Sequence, residues 1–189
     1  MINRIPDYPI LDVILNRYSP RALSGEKISH EELLQIFEAA RWAPSSYNNQ
    51  PWRFVYAHRD TSAWDQLFNL MVPANQSWAK NAGVLIVAIS AKNFSYNNKP
   101  SRTHSFDTGA ACENLAIQGE AMGFVVHGME GFDYDRAKKA LNIHDDYEVE
   151  AMFAIGHPGN REDLPKKLQE NETPSGRKLI EEFIFEGQM

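Results

Sequence analysis

Apolar residues recur along this chain with two periods, one typical of amphipathic helices and one typical of buried strands. Four apolar residues between Leu33 and Ala40 follow at helical spacing, after a Ser29–Glu32 pair that fits a capping box. Residues 83–90 are almost uniformly apolar and rich in valine and isoleucine, which is typical of a strand covered on both faces. The pattern predicts helices over residues 10–15, 30–43, 62–71, 107–122 and 134–141, and strands over residues 52–57, 83–90, 124–127 and 150–156.

The order of these elements predicts the fold class. Helices and strands mix without strict alternation, which favours an α+β fold. We expect a mixed sheet of four to five strands packed among helices. The chain has 189 residues, so we predict a single domain over residues 1–189, with residues 160–189 as a C-terminal arm. The arm is polar and resumes an apolar rhythm only over residues 179–185, so it must lie on another surface.

The composition argues against several classes of protein. The net charge of −6 argues against binding to nucleic acid, and no apolar run approaches the roughly 20 residues of a membrane span. One cysteine, Cys112, allows no intrachain disulfide, and the first residues lack the apolar core of a signal peptide. We therefore expect a cytoplasmic protein with no nucleic-acid or membrane partner. We also predict no metal site, because the six histidines show no metal-ligand spacing.

Residues 44–52, Pro-Ser-Ser-Tyr-Asn-Asn-Gln-Pro-Trp, form the most informative motif, which we name the polar loop. Its two prolines exclude a helix and make a central strand unfavourable. Its hydroxyl and carboxamide groups can satisfy the edge of a flat, polar heterocycle. The alternative is a helix stop followed by a structural turn, with Trp52 in the core.

Three further segments are ambiguous on their own. Arg17, Ser19 and Arg21 lie at alternate positions, so they can converge on an anion, or they can be surface residues before a turn. Residues 127–132 begin with a histidine that we expect to be packed, and their two glycines suit either a close ligand approach or an ordinary turn. Residues 175–177, Ser-Gly-Arg, carry almost no signal by themselves. No Gly-x-Gly-x-x-Gly motif opens a helix, which argues against a Rossmann domain.

In this order, the segments resemble the nitroreductase family of flavin enzymes over nearly the whole chain, from residue 17 to about residue 185. Residues 17–21 look like the family's Arg-x-Ser-x-Arg/Lys segment, which holds the phosphate and ribityl end of FMN. The polar loop closely resembles the family's Pro-Ser-Ser-x-Asn-x-Gln-Pro-Trp loop. The resemblance implies a set of FMN-binding residues: Arg17, Tyr18, Ser19, Arg21, Pro44, Ser45, Ser46, Asn48, Gln50, Asn75, Met129, Glu130, Gly131 and Arg177.

The resemblance also implies an assembly and an activity. The chain would be a homodimer whose long helix over residues 107–123 forms the interface, while the polar loop and the C-terminal arm reach the partner subunit. It would pass reducing equivalents from NADH or NADPH to a nitroaromatic, a quinone or a similar conjugated small molecule by a ping-pong mechanism. No catalytic side chain is expected, because the flavin does the chemistry. The alternatives are a flavin-dependent reductive dehalogenase, a substrate oxidase, and a flavin-binding protein without turnover.

The chain departs from the family pattern at two positions. Trp78 stands where some relatives carry a lysine, and Ser175 where some carry a second cation, so we expect a different charge around the flavin. Residues 91–105, rich in Asn, Ser, Lys and Pro, we interpret as a mobile edge of the substrate pocket. His104 and Phe106 are candidate substrate contacts there.

Overall fold

The computed structural model describes residues 4–189, so residues 1–3 of the predicted domain lie outside the described part. Among the described residues, four strands form one sheet in the order β1-β2-β4-β3. The strands are β1 (Trp52–His58), β2 (Val84–Ala91), β3 (Val125–Met129) and β4 (Tyr147–Gly156). The helices are α1 (Asp12–Asn16), α2 (His30–Arg41), α3 (Trp64–Phe68), α4 (Pro73–Ala79), α5 (His104–Ala121), α6 (Tyr134–Ala140) and α7 (Lys166–Gln169).

The α+β class and the strand count are confirmed, but the strand directions differ from the expected mixture. All hydrogen-bonded pairs in the described sheet are antiparallel. The reason lies in the strand order. The chain leaves β2, returns through α5 and enters β3 in the same direction as β2, and β4 then inserts between these two parallel strands.

Strand β2 is the centre of the fold because its side chains point alternately into two apolar cores. Leu85 and Val87 pack on the face that carries α3, α4 and α6. Val84 and Ile86 pack on the other face, against α2 and α5. The strand is buried over its first seven residues, which confirms the prediction of a strand covered on both faces.

Local signals fix the beginning of α2 as predicted. The Ser29 hydroxyl accepts the backbone N–H of Glu32, and the Glu32 carboxylate accepts the backbone N–H of Ser29 at 2.8 Å. Helix α4 was not predicted. It starts at Pro73, where the missing N–H of proline costs nothing in the first helical turn, and it carries both Asn75 and Trp78.

Candidate functional site

The arginine segment, Arg17–Arg21, runs between α1 and a β-bridge that pairs Leu23 with Pro158. Arg17 Nη1 lies 3.5 Å from Ser19 Oγ, so this guanidinium and this hydroxyl lie side by side. Arg17 Nε also lies 3.5 Å from a carboxylate oxygen of Glu113 on α5. The Arg17 side chain is 19% exposed, so this charge is held near the surface without being freely solvated.

Glu172, from the C-terminal arm, fixes the other end of the arginine segment. Its Oε1 accepts the backbone N–H groups of Arg21 and Ala22 at 2.5 and 2.7 Å. Its Oε2 lies 3.9 Å from Arg21 Nη1 and has no hydrogen-bond partner among the described residues. The carboxylate is almost fully buried, which makes this contact costly to break. Sequence reasoning missed Glu172, because it lies about 150 residues from the segment that it holds.

His127, on β3, also contacts the arginine segment. Its Nδ1 lies 2.9 Å from the Pro20 carbonyl oxygen, and its ring packs on Trp78 with centroids 4.5 Å apart. Burial lowers the pKa of His127; the charge of Arg21 lowers it further, whereas the bond to Pro20 opposes the shift. The expectation of a packed histidine is therefore correct. Trp78 is buried as its packing partner, so the position that is a lysine in some relatives serves the core here.

Arg177 and Tyr18 complete the arginine-rich part of the site. Arg177 is exposed, and its Nη1 donates to the Ser175 hydroxyl at 3.1 Å and to the Gly176 carbonyl at 3.0 Å. Its charge is close enough to Arg4 to lower the pKa of that guanidinium, after burial as the larger cause. Burial, followed by the charge of Glu172, raises the pKa of the Tyr18 phenol. Tyr18 therefore stays protonated and neutral at physiological pH.

A second group of predicted residues meets where β3 ends. Asn75 Nδ2 donates to the Gly131 carbonyl at 3.0 Å, and Val72 N–H donates to the same oxygen at 3.1 Å. A Cβ atom on Gly131 would lie 2.7 Å from Asn75 Nδ2, so the turn needs glycine. Met129 is buried in the core, while Glu130 is exposed at the surface.

The polar loop has an unusual backbone. Tyr47, Asn48 and Gln50 all have positive φ angles, of 52°, 52° and 49°. Residues other than glycine adopt this conformation rarely, and such strain concentrates at functional sites. Internal bonds hold the loop: Gln50 N–H donates to Ser45 Oγ at 3.0 Å, and Gln50 Nε2 donates to the Asn48 carbonyl at 3.2 Å. Pro44, Asn48 and Gln50 are exposed.

Asp107 anchors the polar loop to α5. Its Oδ2 accepts the Ser46 backbone N–H at 3.0 Å and the Thr103 hydroxyl at 3.1 Å. The side chain belongs to the first turn of α5, where the helix dipole favours a negative charge. Asp107 is a buried polar side chain. Sequence reasoning placed this residue only as the start of a helix and missed its contact with the loop.

The Asn-rich loop, residues 91–105, docks on the polar loop. Asn49 Oδ1 accepts the Ser95 backbone N–H at 2.9 Å, and a bridge between Asn93 and Pro100 closes the loop on itself. Tyr47 packs edge-on against Phe94, with ring centroids 5.7 Å apart. The expected mobile edge is therefore tied by hydrogen bonds, while Phe106 beside it is largely exposed.

His104 takes part in a polar cluster that does not have the geometry of a catalytic triad. Ser90 Oγ lies 2.7 Å from His104 Nδ1 and also donates to Glu150 Oε1. In a triad the carboxylate would bond the second ring nitrogen of the histidine, not the serine. Ser105 Oγ donates to the same Glu150 oxygen at 2.7 Å. The cluster ties the start of α5 to the end of β2 and the first half of β4.

The predicted site residues thus fall into two places within one chain. The arginine segment and the Asn75–Gly131 contact lie along β3, whereas the polar loop precedes β1 at the opposite edge of the sheet. Three strand spacings of about 4.8 Å separate these edges by roughly 14 Å. Among residues 4–189, the hydrogen bonds of the polar loop lead to α5 and the Asn-rich loop, not to the residues along β3.

Two structural features are absent from residues 4–189. No cluster of three or more His, Cys, Asp or Glu side chains there has an arrangement that could hold a metal ion. No helix in that part of the chain combines the length and apolar character needed to cross a membrane.

The fold and these contacts define an α+β protein with two groups of predicted cofactor residues, one along β3 and one in the polar loop at the opposite edge of the sheet. The chain belongs to the nitroreductase family, because the model of the Nitroreductase family matches residues 14–74 and 61–157. A solved structure described as an oxidoreductase containing FMN is 45% identical, with a TM-score of 0.94, and the match covers 100% of this chain and 98% of that chain.

Two further relatives are more distant. A Desulfovibrio desulfuricans protein solved in complex with FMN is 25% identical, with a TM-score of 0.73, over 97% of this chain and 99% of that chain. A protein of Archaeoglobus fulgidus with the provisional name NADH dehydrogenase/NAD(P)H nitroreductase is 28% identical, over 82% of this chain and 88% of its own length. The family match and the similar full-length fold confirm the resemblance on which the sequence interpretation rested.

Proposed function

We propose that the chain is an FMN-dependent NAD(P)H oxidoreductase that passes reducing equivalents to nitroaromatic, quinone or similar conjugated acceptors by a ping-pong mechanism. The observation that carries the proposal is that two groups of predicted cofactor residues, the arginine segment and the Asn75–Gly131 contact, lie along β3. The FMN in two similar structures and the NAD(P)H in the name of the Archaeoglobus relative support the choice of cofactor and reductant.

The residues along β3 fit the chemistry of FMN. Arginine forks and a hydroxyl suit a phosphate, because they offer charge-assisted hydrogen bonds. Arg17 with Ser19, together with Arg21 and Arg177, would hold the phosphate. At the other end, the bonds from Asn75 and Val72 to the Gly131 carbonyl fix the backbone of the turn that would meet the flat ring.

The chain's own residues bind and orient, and we assign no catalytic side chain. When bound, FMN would supply hydride acceptance from NAD(P)H and hydride donation to the acceptor. His127 commits its Nδ1 atom to the Pro20 carbonyl. Burial, with a smaller effect of Glu150, raises the pKa of the Cys112 thiol to about 12, so this thiol is not a nucleophile at neutral pH.

We further propose a homodimer in which the polar loop of one chain completes the site of the other. The separation of the loop from the β3 residues supports this arrangement, because one chain alone keeps the two halves at opposite edges of its sheet. Exposed apolar side chains also support it: Trp42 and Phe106 are 71% and 80% exposed, and the arm carries Phe183, Ile184 and Phe185, each more than half exposed. In such a homodimer, the partner chain would cover these apolar side chains.

The activity is tested by anaerobic stopped-flow mixing of the purified, FMN-loaded protein with NADH and with NADPH. Bleaching of the flavin absorbance by at least one of them, followed by recovery on adding a quinone, is the expected result. Flavin that stays oxidised with both reductants would refute the reductase and favour a binding protein without turnover. Reoxidation by oxygen or a halogenated aromatic, but not by quinones or nitroaromatics, would favour the oxidase or dehalogenase alternative.

The assembly is tested by sedimentation. The expected mass is near twice the 21.5 kDa of one chain. A stable monomer that still binds FMN would contradict the shared site.

A further inference from the structure

Arg4 joins two chain segments that are remote in sequence and that both carry predicted phosphate ligands. Its Nη1 donates to the carbonyl oxygens of Leu15 and Arg17, at 2.9 and 2.7 Å. Its Nε donates to the Ser175 carbonyl at 3.1 Å. One guanidinium therefore holds the start of the arginine segment against the residues that lead into Arg177.

Partial burial, followed by the like charges of Arg177 and Arg17, lowers the pKa of Arg4. The charge of Glu120 offsets this only in part. Like charges held together in a folded protein cost free energy, and a bound anion removes that cost.

Glu172 makes a second connection between the same two segments. It accepts the backbone N–H groups of Arg21 and Ala22 from a position on the arm three residues before Ser175. Arg4 and Glu172 therefore fix opposite ends of the arginine segment to the arm. Arg4 and Glu172 both bond to backbone atoms, so they fix the position of the main chain in addition to contributing charge.

We propose that Arg4 and Glu172 are positioning residues that assemble the phosphate half of the cofactor site from the arginine segment and the C-terminal arm. This inference rests on the proposed function, since it takes FMN as the ligand. It adds two residues that neither the motif nor the resemblance indicates. Its consequence is that retention of the phosphate group depends on docking of the arm.

The test compares two flavins on the apoprotein, because riboflavin has the ring of FMN but lacks its phosphate. Dissociation constants are measured by flavin fluorescence for the wild type and for Arg4→Gln. We expect FMN binding to weaken about tenfold or more, as for the loss of charge-assisted bonds, and riboflavin binding to change less than about twofold. An equal loss for both flavins, or no loss for FMN, would overturn the inference. A wild type that binds neither flavin would instead refute the proposed function.

Two further variants separate position from charge. Arg4→Lys keeps the charge but cannot span three carbonyl groups, so we expect it to lose most of the FMN affinity that Arg4→Gln loses. Wild-type affinity in Arg4→Lys would show that charge alone matters and would overturn the positioning role. Arg59→Gln is the matched control, because Arg59 also donates to backbone carbonyls, of Lys80 at 2.6 Å and Ala82 at 3.5 Å, but at the far end of β1. Its FMN affinity should match the wild type.

Amide hydrogen exchange on the wild type tests the inference without relying on the folding of any variant. FMN should slow exchange in residues 17–22 and 172–177 together, and riboflavin should not. Equal protection by both flavins, or protection of residues 17–22 alone, would contradict the joint role of segment and arm.

Discussion

Replacing Asp107 by alanine should loosen the polar loop and lower both the stability of the protein and its affinity for flavin. Asp107 is 4% exposed, and one of its oxygens accepts both the Ser46 N–H and the Thr103 hydroxyl. The alanine variant leaves these two donors without their acceptor. The loop also carries three residues with positive φ, so it depends on such anchors to keep its shape.

The magnitude follows from the two bonds. A hydrogen bond to a charged group contributes about 1.5–3 kcal/mol. Because Ser46 and Thr103 are only half-buried, water recovers part of the loss. We therefore expect the free energy of unfolding to fall by about 2–4 kcal/mol in Asp107→Ala. Asp107→Asn keeps an acceptor oxygen and should lose only about 1 kcal/mol.

Urea unfolding, followed by tryptophan fluorescence, measures these differences. The matched control is Asp133→Ala, because Asp133 is exposed and accepts one backbone N–H, from Arg136 at 2.9 Å, at the N-cap of α6. That variant should lose about 1 kcal/mol and keep wild-type flavin affinity. If Asp107→Ala were no more destabilising than Asp133→Ala, or if Asp107→Asn were as damaging as Asp107→Ala, the anchoring role would be wrong.

Three other predictions concern groups elsewhere in the fold. Burial and the charge of Arg21 lower the folded-state pKa of His127, so below about pH 6.5 the folded state binds fewer protons than the unfolded state. The free energy of unfolding should therefore fall, as the pH is lowered, by up to about 1.4 kcal/mol per pH unit. Urea titrations between about pH 7 and pH 5 should show a shallower fall in His127→Gln than in the wild type, and an equal fall would contradict this. The Cys112 thiol should react with a disulfide reagent near pH 8 far more slowly in the native than in the unfolded protein; equal rates would disprove its burial. Gly119→Ala should cost about 1–3 kcal/mol in urea unfolding, since its Cβ would lie 2.3 Å from Val126 on β3; an unchanged midpoint would count against that packing.

Sequence patterns predicted the elements that are specified locally. The Ser29 capping box and the apolar run of β2 each encode their structure within a few residues, so their prediction is confirmed. Helix α4 was missed because residues 73–79 carry no clear apolar period and only Pro73 marks the start. The pairing of strands depends on where β4 inserts, which no local pattern encodes.

In the candidate site, too, local sequence patterns were informative and contacts between remote residues were not. The alternate spacing of Arg17, Ser19 and Arg21 left an anion site and a surface turn both open; Arg17 and Ser19 lie 3.5 Å apart, whereas Arg21 pairs with Glu172. Three residues were missed because their contacts are remote in sequence. Asp107 bonds to a residue 61 positions away, Glu172 to one about 150 positions away, and Arg4 to one 171 positions away. Binding of FMN by the predicted residues stays a prediction, as do the single-domain boundary with its arm and the cytoplasmic location.

The bond between Arg4 and Ser175 has a consequence for the order in which the molecule forms. It closes the chain across 171 positions, and loops that long close late because their ends must first be brought together by the rest of the fold. The sheet can therefore form before the phosphate half exists, and the cofactor cannot template the early stages of folding. Removing residues 1–4 should then yield a protein that folds and melts like the full chain but retains FMN poorly.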